Sequence, residues 1–323
     1  MLEPAATDDT KFKTMYRPIT GYWSRLGARM LQYKYMYLLA LPGIVYFILF
    51  KFVPMWGLLL AFKDYNPFDG FLGSTWVGTK NFEKLFTDNF FYIMLRNTLG
   101  INLIGLIFMF PVPIVLALML NEIRHEAFKR INQSIVYLPH FLSWVVVASM
   151  TFFVLSSDVG IVNKLITGAG HESVAFLSNP NYFWGLITVQ SMWKEAGWGT
   201  IIFLAAMAGV DPQRYEAAVV DGASRWRQIW HITLPAIRST IIILLILRLG
   251  HIADVGFEQL LLMQNPLVRS VSEVFDTYSY TYGILNGQIS IGVTVGMFKG
   301  VVGLVFVLTA NYIVKKLGHE GIY

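Results

Sequence analysis

Long apolar stretches without charges alternate with short polar segments along this chain of 323 residues. Several of these stretches reach the roughly 20 residues that a helix needs to cross a hydrocarbon core of ~30 Å. The pattern therefore predicts an all-α membrane protein. Its six transmembrane helices are predicted at about 36–57, 96–120, 133–156, 182–208, 236–262 and 291–314.

Composition supports a membrane protein. The chain is 55% hydrophobic and only 14% charged, which is too apolar for an ordinary soluble domain. Because it has no cysteine, it can form neither disulfides nor thiolate metal sites. We expect no metal site and no cofactor bound by this chain. About 35 polar or mixed residues precede the first apolar run, so we expect that run to be an anchor and not a cleaved signal peptide.

The basic residues predict the orientation, because loops rich in Lys and Arg stay cytoplasmic. One side carries Lys11, Lys13, Arg17, Arg25, Arg29, Lys34, Arg124, Lys129, Arg130, Arg214, Arg225, Arg227, Arg238, Lys315 and Lys316. The other side carries fewer, namely Lys63, Lys80, Lys84, Arg96, Lys164 and Arg269. Both termini and the segment 215–236 are therefore predicted to be cytoplasmic. The basic residues are spread along the predicted ends of the membrane helices, and the sequence has no nucleic-acid recognition motif. We therefore do not expect nucleic-acid binding.

These predictions divide the chain into four parts. Residues 1–35 form a basic cytoplasmic segment, and residues 36–95 contain the first transmembrane helix and an external loop. Residues 96–315 form a core of five transmembrane helices that includes the polar loop 211–235. A cytoplasmic tail follows at 316–323.

The polar loop begins with a strong helix-start signal. Asp211 can cap the helix, and Pro212 suits its first position, where the missing N–H costs nothing. The residues at apolar helical spacing in this helix are Tyr215, Ala218 and Val219. Gly222 is expected to end it, since glycine takes the left-handed C-terminal conformation without strain.

A second short helix is expected after this glycine. Ser224 can cap it, and its residues at apolar helical spacing are Trp226, Ile229 and Trp230. By periodicity alone the whole segment is either a connector lying on the membrane surface or a docking site for another protein. The second interpretation is favoured by Ala217 and Ala218, which permit close approach, beside the acidic Glu216.

The same segment carries a specific motif, in the order Glu216-Ala217-Ala218, three residues, Gly222, nine residues, Ile232, one residue and Leu234-Pro235. This order resembles the EAA signature of the permease subunits of binding-protein-dependent ABC importers. The chain resembles the MalF-type carbohydrate-uptake branch, and within it the alginate-importer-like permeases for complex oligosaccharides and polysaccharide fragments. It departs from the maltose permease at 157–181, which is too short for that protein's large external insert.

The resemblance implies the type I ABC importer permease fold. It also implies that residues around 211–226 form a coupling helix that docks in a cleft of a cytoplasmic ATPase. Glu216 would pair with a basic residue there, and Gly222 would make the turn. The residues that complete the motif are Ala217, Ala218, Asp221 and Ala223.

The partners implied by the family are a second permease subunit, two ATPase subunits and an external solute-binding protein, in the cytoplasmic (inner) membrane of a bacterium. The sequence has no G-x-x-x-x-G-K-[ST] phosphate loop, so we expect this chain not to be an enzyme. ATP and Mg would then be bound by the partner ATPase subunits.

Charged residues inside membrane spans are costly and usually face a bundle interior or a wet cavity. In this chain they concentrate in the last three predicted helices, at Lys194, Glu195, Arg248, His251, Asp254, Glu258 and Lys299. Our candidates for the substrate path are Lys194, Arg248, His251, Asp254, Glu258, Lys299 and Tyr278. They can equally pair with one another and only fix helix packing, and Lys194 with Glu195 can mark a packing pair or a helix break. If Arg248, His251 and Lys299 face the path, they suit an acidic sugar.

Two other patterns leave alternatives open. Gly292, Gly296 and Gly300 stand four residues apart, which permits close approach of another helix or a hinge. Tyr278, Tyr280 and Tyr282 either contact sugar or form an interfacial aromatic belt. The loop at 61–91 is a candidate contact for the binding protein.

The leading functional prediction is one half of the channel of an ABC importer for an oligosaccharide or polysaccharide fragment, with alginate- or pectin-derived acidic sugars as the first choice. A neutral oligosaccharide is the alternative. An ion-coupled secondary transporter is a rival class, although it normally needs internal repeats. A membrane enzyme is another, although no recognisable catalytic motif supports it.

Overall fold

The computed structural model describes residues 32–318 and residue 321, and these are mostly helical. The α-helices are α1 (Lys34–Phe47), α2 (Gly70–Gly73), α3 (Lys80–Thr87), α4 (Phe91–Ile104), α5 (Pro111–Asn121), α6 (Glu126–Tyr137), α7 (Trp144–Leu155), α8 (Ile161–Gly168), α9 (Pro180–Ala208), α10 (Pro212–Val220), α11 (Arg225–Gln228), α12 (Leu234–Ala236), α13 (Arg238–Gly250), α14 (Phe257–Met263), α15 (Arg269–Ser272), α16 (Phe275–Tyr278) and α17 (Ile289–Lys316). Two short strands are β1 (Lys63–Asp64) and β2 (Thr75–Trp76).

Segments of 3-10 and π-helix extend several of these helices. The 3-10 segments are Val53–Phe62, Leu138–Phe141 and Pro266–Val268. The π segments are Ile48–Phe52, Gly105–Met109, Ile229–Thr233 and Ser279–Leu285. The predicted helical fold class is confirmed, with one two-stranded hairpin added.

The chain divides into two compact units, Met1–Leu58 and Leu59–Tyr323. In the first unit, α1 and the π segment after it expose apolar side chains all around the helix, which suits a lipid environment. The predicted cytoplasmic segment 1–35 lies almost entirely outside the described residues. The predicted tail 316–323 is described only at 316–318 and 321.

Among the described residues, three helical stretches are long and apolar enough to cross a membrane, and they are Lys34–Phe62, Phe91–Asn121 and Ile289–Lys316. Two bent pairs raise the number to as many as five if each pair is one span. The predicted span 182–208 corresponds to α9, whose 29 residues give a length of about 43 Å at 1.5 Å per residue. It is not among those five, and Lys194 and Glu195 lower its apolar character.

The predicted span 133–156 is not one straight helix. Glu126–Phe141 and Trp144–Leu155 meet at 99°. Pro139 lies in the 3-10 turn before the bend, and Ser143 begins α7 by accepting a hydrogen bond from the N–H of Val146 at 3.3 Å. A proline and a side-chain cap thus replace a continuous helical ladder.

The predicted span 236–262 is also wrong as a single helix. Helix α13 ends at Gly250, and α14 begins only at Phe257, after Gly256 at φ +33°. The pair Arg225–Ala236 and Arg238–Gly250 is itself bent by 59°. A helical wheel through 248–258 therefore does not describe the arrangement of these residues.

Helix α9 lies at the centre of the second unit and packs against α5. The buried contact includes Ala117 of α5, Phe203 and Met207 of α9, and Ile237 just before α13. Helix α17 packs against α13, where a Cβ added to Gly303 would lie 2.4 Å from the carbonyl oxygen of Gly250. These contacts bring α9, α13 and α17 into one bundle.

The glycines at four-residue spacing in α17 have different surroundings. Gly292 lies against Gly283, 3.1 Å from a built Cβ to the Cα atom. Gly296 and Gly300 meet no described atom within 4 Å of a built Cβ. Of the predicted close approaches, only the one at Gly292 is therefore made within the described chain.

The loop predicted at 61–91 is ordered by hydrogen bonds. β1 and β2 pair antiparallel, with Lys63 opposite Trp76. The buried Asn81 amide donates to the carbonyl oxygens of Ala61 at 2.9 Å and Lys63 at 2.8 Å. The N–H of Tyr65 donates to Ser290 Oγ at 3.0 Å, which ties this loop to the start of α17.

Candidate functional site

The segment 211–236 folds as a helix, a glycine turn and a second helix, as predicted. Asp211 caps α10 by accepting a hydrogen bond from the N–H of Gln213 at 3.0 Å, and Pro212 occupies the first turn. Gly222 has φ +72°. The N–H of Gly222 donates to Val219 O at 3.0 Å, and the N–H of Ala223 donates to Ala218 O at 2.8 Å. This pair of hydrogen bonds is the Schellman motif, which explains why glycine stands there.

The second helix begins differently from the prediction. Ser224 occupies the N-cap position but makes no side-chain cap hydrogen bond. The two helices are joined by the hydroxyls of Tyr215 and Thr233, which are 3.0 Å apart. Arg225 Nη1 donates to Glu122 Oε2 at 2.7 Å, so the segment is also attached to the end of α5.

The outer face of this segment is unusually open. None of the residues of α10 is buried, and Val219, one of its residues at apolar helical spacing, is 61% exposed. The other large exposed apolar side chains are Val220, Trp226 and Trp230. Glu216, also exposed, borders a cleft of about 480 Å³ together with Glu122 and Arg225. The face offers apolar area with charges beside it, which suits docking of another protein.

A cavity of about 260 Å³ lies between α4, α9, α13 and the turn before α14. Its lining combines the aromatic ring of Trp144 with polar side chains. These polar side chains are Asn102, Thr188, Ser191, Glu195, Arg248, Asp254 and Gln259. Two of the predicted path residues, Arg248 and Asp254, are thus brought to one cavity.

Arg248 is the cation of this cavity. Its guanidinium lies against the backbone of Gly105, with 3.7 Å between Nη2 and a built Cβ. It makes no hydrogen bond or ion pair with any residue that the structure describes, although the carboxylate of Asp254 attracts it electrostatically. A half-buried, unpaired guanidinium is a ready partner for a carboxylate.

Two amides of the cavity were missed by the sequence reasoning. Asn102 is buried, and its Nδ2 donates to Ile252 O at 2.9 Å and to Asp254 O at 3.2 Å. Gln259 accepts from Ser191 Oγ at 2.8 Å and donates to Gln190 Oε1 at 2.7 Å. Both amides lie in apolar runs of the sequence. An amide inside a predicted span indicates a hydrogen-bond partner within the bundle, but the prediction considered only the charged residues.

Lys194 is buried and paired, and it does not line the cavity itself. Its side chain is only 7% exposed, and Nζ donates to His140 O at 2.7 Å and lies 3.3 Å from Glu195 Oε1. His140 Nδ1 lies 2.8 Å from Glu195 Oε2, and its ring stacks on Trp198 with 4.5 Å between centroids. These contacts tie α9 to the bend before α7, and α9 continues through them without a break.

Lys299 and His251 are both paired with Asp254. Lys299 Nζ is 2.7 Å from Asp254 Oδ1 and also binds Asp276 Oδ1. His251 Nδ1 is 2.9 Å from Asp254 Oδ2. Lys299 is therefore not a free cation, and among the three basic residues predicted to attract an acidic sugar it is Arg248 that lines the cavity.

Glu258 and Tyr278 lie away from this cavity. Glu258 is exposed on α14 and does not line the cavity. Tyr278 is buried, donates its hydroxyl to Asp88 Oδ2 at 2.6 Å and stacks on Tyr282. Burial raises the pKa of the Tyr278 phenol, and the bond to Asp88 adds to this effect. It borders a separate polar pocket of about 480 Å³ with Lys84.

A buried carboxylate that the sequence reasoning did not single out lies near this pocket. Glu273 is 2% exposed and accepts from Arg269 Nε at 2.9 Å and from Thr277 Oγ1 at 2.8 Å. The Glu273 carboxylate raises the pKa of Arg269. Arg269 also lies over the ring of Phe90. The contacts of Glu273 and Arg269 hold α15 and α16 against the start of α4.

The described residues contain no cluster of three or more His, Asp or Glu side chains that could hold a metal ion. The arrangement combines an exposed apolar face with charges beside it and a cavity lined by polar side chains.

Comparison with known proteins identifies the family. The family of the binding-protein-dependent transport system inner membrane component matches residues 109–319. The polygalacturonan/rhamnogalacturonan transport system permease protein YteP of Bacillus subtilis (strain 168) is 53% identical over 299 residues, which are 93% of this chain and 93% of that protein. Protein LplB of the same organism is 52% identical over 290 residues, which are 90% of this chain and 91% of that protein.

A solved structure gives the fold. A chain in the crystal structure of a bacterial alginate ABC transporter, in complex with an alginate pentasaccharide-bound periplasmic protein, has a TM-score of 0.84 and 39% sequence identity. The likeness covers 92% of this chain and 100% of that chain. It confirms the type I permease fold, and the family match decides against the rival secondary transporter and membrane enzyme. This chain therefore belongs to the family of binding-protein-dependent transport system inner membrane components, the multi-pass membrane permeases of ABC transporters.

Proposed function

We propose that this chain forms one half of the membrane channel of an ATP-driven importer for acidic oligosaccharides, such as pectin- or alginate-derived fragments. The observation that carries the proposal is Arg248, whose guanidinium has no hydrogen bond or ion pair with the described residues and lies in a polar cavity with an aromatic ring and amides. Relatives and a structural neighbour named for polygalacturonan and alginate support the same chemistry, since both polymers consist of uronic acids.

The cavity offers one group for each feature of a uronic-acid unit. Arg248 would bind the carboxylate, and Ser191 and Thr188 would bind hydroxyls. Trp144 would lie against the apolar face of the sugar ring. Asn102 donates to backbone oxygens through Nδ2, which leaves its Oδ1 to accept a hydrogen bond from a hydroxyl.

The open face of 211–236 would couple this cavity to ATP hydrolysis. Glu216 would pair with a basic residue of an ATPase subunit, and the exposed Ala217 would permit close packing. Ala218, Asp221, Gly222 and Ala223 would complete the docking segment as the EAA motif implies. The chain has no phosphate loop of its own, so ATP and Mg would be bound by the partner subunits.

The complete importer would contain a second permease subunit, two ATPase subunits and an extracytoplasmic solute-binding protein. It would lie in the cytoplasmic membrane of a bacterium with both termini of this chain in the cytoplasm. Support comes from the family, from the periplasmic protein bound in the related structure, and from the basic residues that border the predicted cytoplasmic ends of the helices.

Uptake of paired substrates tests the acidic-sugar proposal. Galacturonic-acid oligosaccharides and their methyl esters have nearly the same shape but differ in charge. The reconstituted importer should prefer the free acids, and Arg248→Met should lower the acid-to-ester uptake ratio at least about tenfold, a loss of roughly 1.4 kcal/mol of transition-state or site binding. Arg248→Lys keeps the charge and serves as the control. An unchanged ratio in Arg248→Met would contradict the proposal and favour a neutral substrate.

A further inference from the structure

Lys299 is held between two carboxylates that belong to different elements. On α17, its side chain is only 12% exposed, with Nζ 2.7 Å from Asp254 Oδ1 and in contact with Asp276 Oδ1. Asp276 belongs to α16 and also accepts a hydrogen bond from the N–H of Val255 at 3.3 Å. The ammonium thus fastens the non-helical turn at 251–256 to α16 and α17.

Asp254 connects this cluster to the cavity. It borders the cavity together with Arg248 and attracts the guanidinium electrostatically. Its two oxygens are held by Lys299 and His251. Lys299 offsets part of the charge of Asp254 and occupies one of its oxygens, so the guanidinium shares the cavity with a carboxylate that is already paired.

We propose that Lys299 is a specificity-determining positioning residue that acts through Asp254. By offsetting part of the charge of this carboxylate and holding one of its oxygens, it leaves Arg248 free for the carboxylate of a substrate. Without Lys299, Asp254 becomes the counter-ion of Arg248, and the cavity loses its preference for acidic sugars while keeping its shape. This inference rests on the acidic-sugar function proposed above.

The test measures the acid-to-ester uptake ratio of the reconstituted importer with the same binding protein throughout, so that the selectivity of the binding protein cancels between variants. Lys299→Met should lower the ratio at least about tenfold relative to the wild type. Lys299→Arg keeps the charge and should retain most of the ratio. The double variant Asp254→Asn/Lys299→Met removes the competing carboxylate. Its uptake of the free acid should therefore be higher than that of Lys299→Met, and this comparison does not require the ester.

Asp254→Asn alone covers the case in which Lys299→Met fails to assemble. This variant retains the contact between Lys299 and Asp276 and should give a ratio at least as high as the wild type. Assembly of each variant is measured by co-purification of the partner subunits. A ratio below the wild type in Asp254→Asn would overturn the proposal.

The remaining outcomes distinguish a failure of the role of Lys299 from a failure of the acidic-sugar function. If assembled Lys299→Met slows acid and ester equally, or if the double variant does not recover, Lys299 has only a packing role and the inference is wrong. If Arg248→Met leaves the ratio unchanged, the acidic-sugar function itself fails. A normal response to Arg248→Met with no response to Lys299→Met overturns the role of Lys299 alone.

Discussion

Gly222 makes the sharp turn of the segment that carries the EAA motif. Its φ of +72° lies in the left-handed region, and a Cβ built there meets no described atom within 4 Å. The requirement for glycine is therefore set by the backbone and not by crowding. A β-branched residue at this position costs roughly 1–2 kcal/mol, whereas Asn tolerates the same conformation.

Gly222→Val is expected to reduce ATP-driven uptake about five- to thirtyfold, the population change that such a cost produces, while the chain still inserts into the membrane. Gly222→Asn is the matched control and should retain most of the uptake. Transport in proteoliposomes with equal amounts of inserted protein checks both. Equal activity of the two variants would remove this turn from the coupling role.

The charge of Glu216 offers a second test of the same segment. Glu216 is exposed and borders the cleft beside α10, so its replacement does not disturb a buried contact. Glu216→Lys should uncouple uptake from ATP hydrolysis, because two basic groups would then face each other across the predicted docking surface. Glu216→Gln should lose less. The ratio of sugar transported to ATP hydrolysed measures the effect, and a normal ratio in Glu216→Lys would contradict the assigned role.

Individual side-chain contacts were predicted with mixed success, for a physical reason. Gly222 and Asp211 act through local backbone geometry, which the sequence displays directly. Lys299 and Lys194 act through partners distant along the chain, such as Asp276 and the carbonyl of His140. A charge in an apolar run indicates that a partner must exist, but only the packing of helices reveals whether that partner is a substrate or another residue.

Helix α13 illustrates the same limit at the scale of elements. Hydropathy located it, yet could not reveal that α13 ends at Gly250 and that a non-helical turn precedes α14. The apolar run continues through the break, because buried loop residues such as Ile252 and Val255 are as apolar as helical ones. The 99° bend before α7 escaped for the same reason.

Close packing of α13 on α17 is expected to be sensitive to a single methyl group. A Cβ at Gly303 would lie 2.4 Å from Gly250 O, so Gly303→Ala must push the helices apart at a cost of roughly 1–3 kcal/mol. Gly296→Ala, in the same helix, meets open space and is the matched control. Thermal unfolding in detergent should show a lower Tm for Gly303→Ala only. Equal Tm values would mean that the two helices adjust freely.

At the scale of the whole second unit, the open face and the cavity are linked by continuous elements. Helix α9 carries Ser191 and Glu195 at the cavity and ends at Ala208, shortly before α10. Helix α13 begins at Arg238, directly after the segment, and carries Arg248 to the same cavity. A rigid-body movement of 211–236 would therefore displace both walls of the cavity together.

The central claim is that this chain transports only as part of an ATP-driven assembly, and one measurement tests it most directly. The tagged chain is extracted from native membranes in mild detergent, its co-purifying subunits are identified, and ATP hydrolysis is measured with and without sugar-loaded binding protein. We predict a second permease, an ATPase and stimulation by a binding protein loaded with an acidic oligosaccharide. An intact preparation of the chain alone, with no ATP hydrolysis under any of these conditions, would contradict the account.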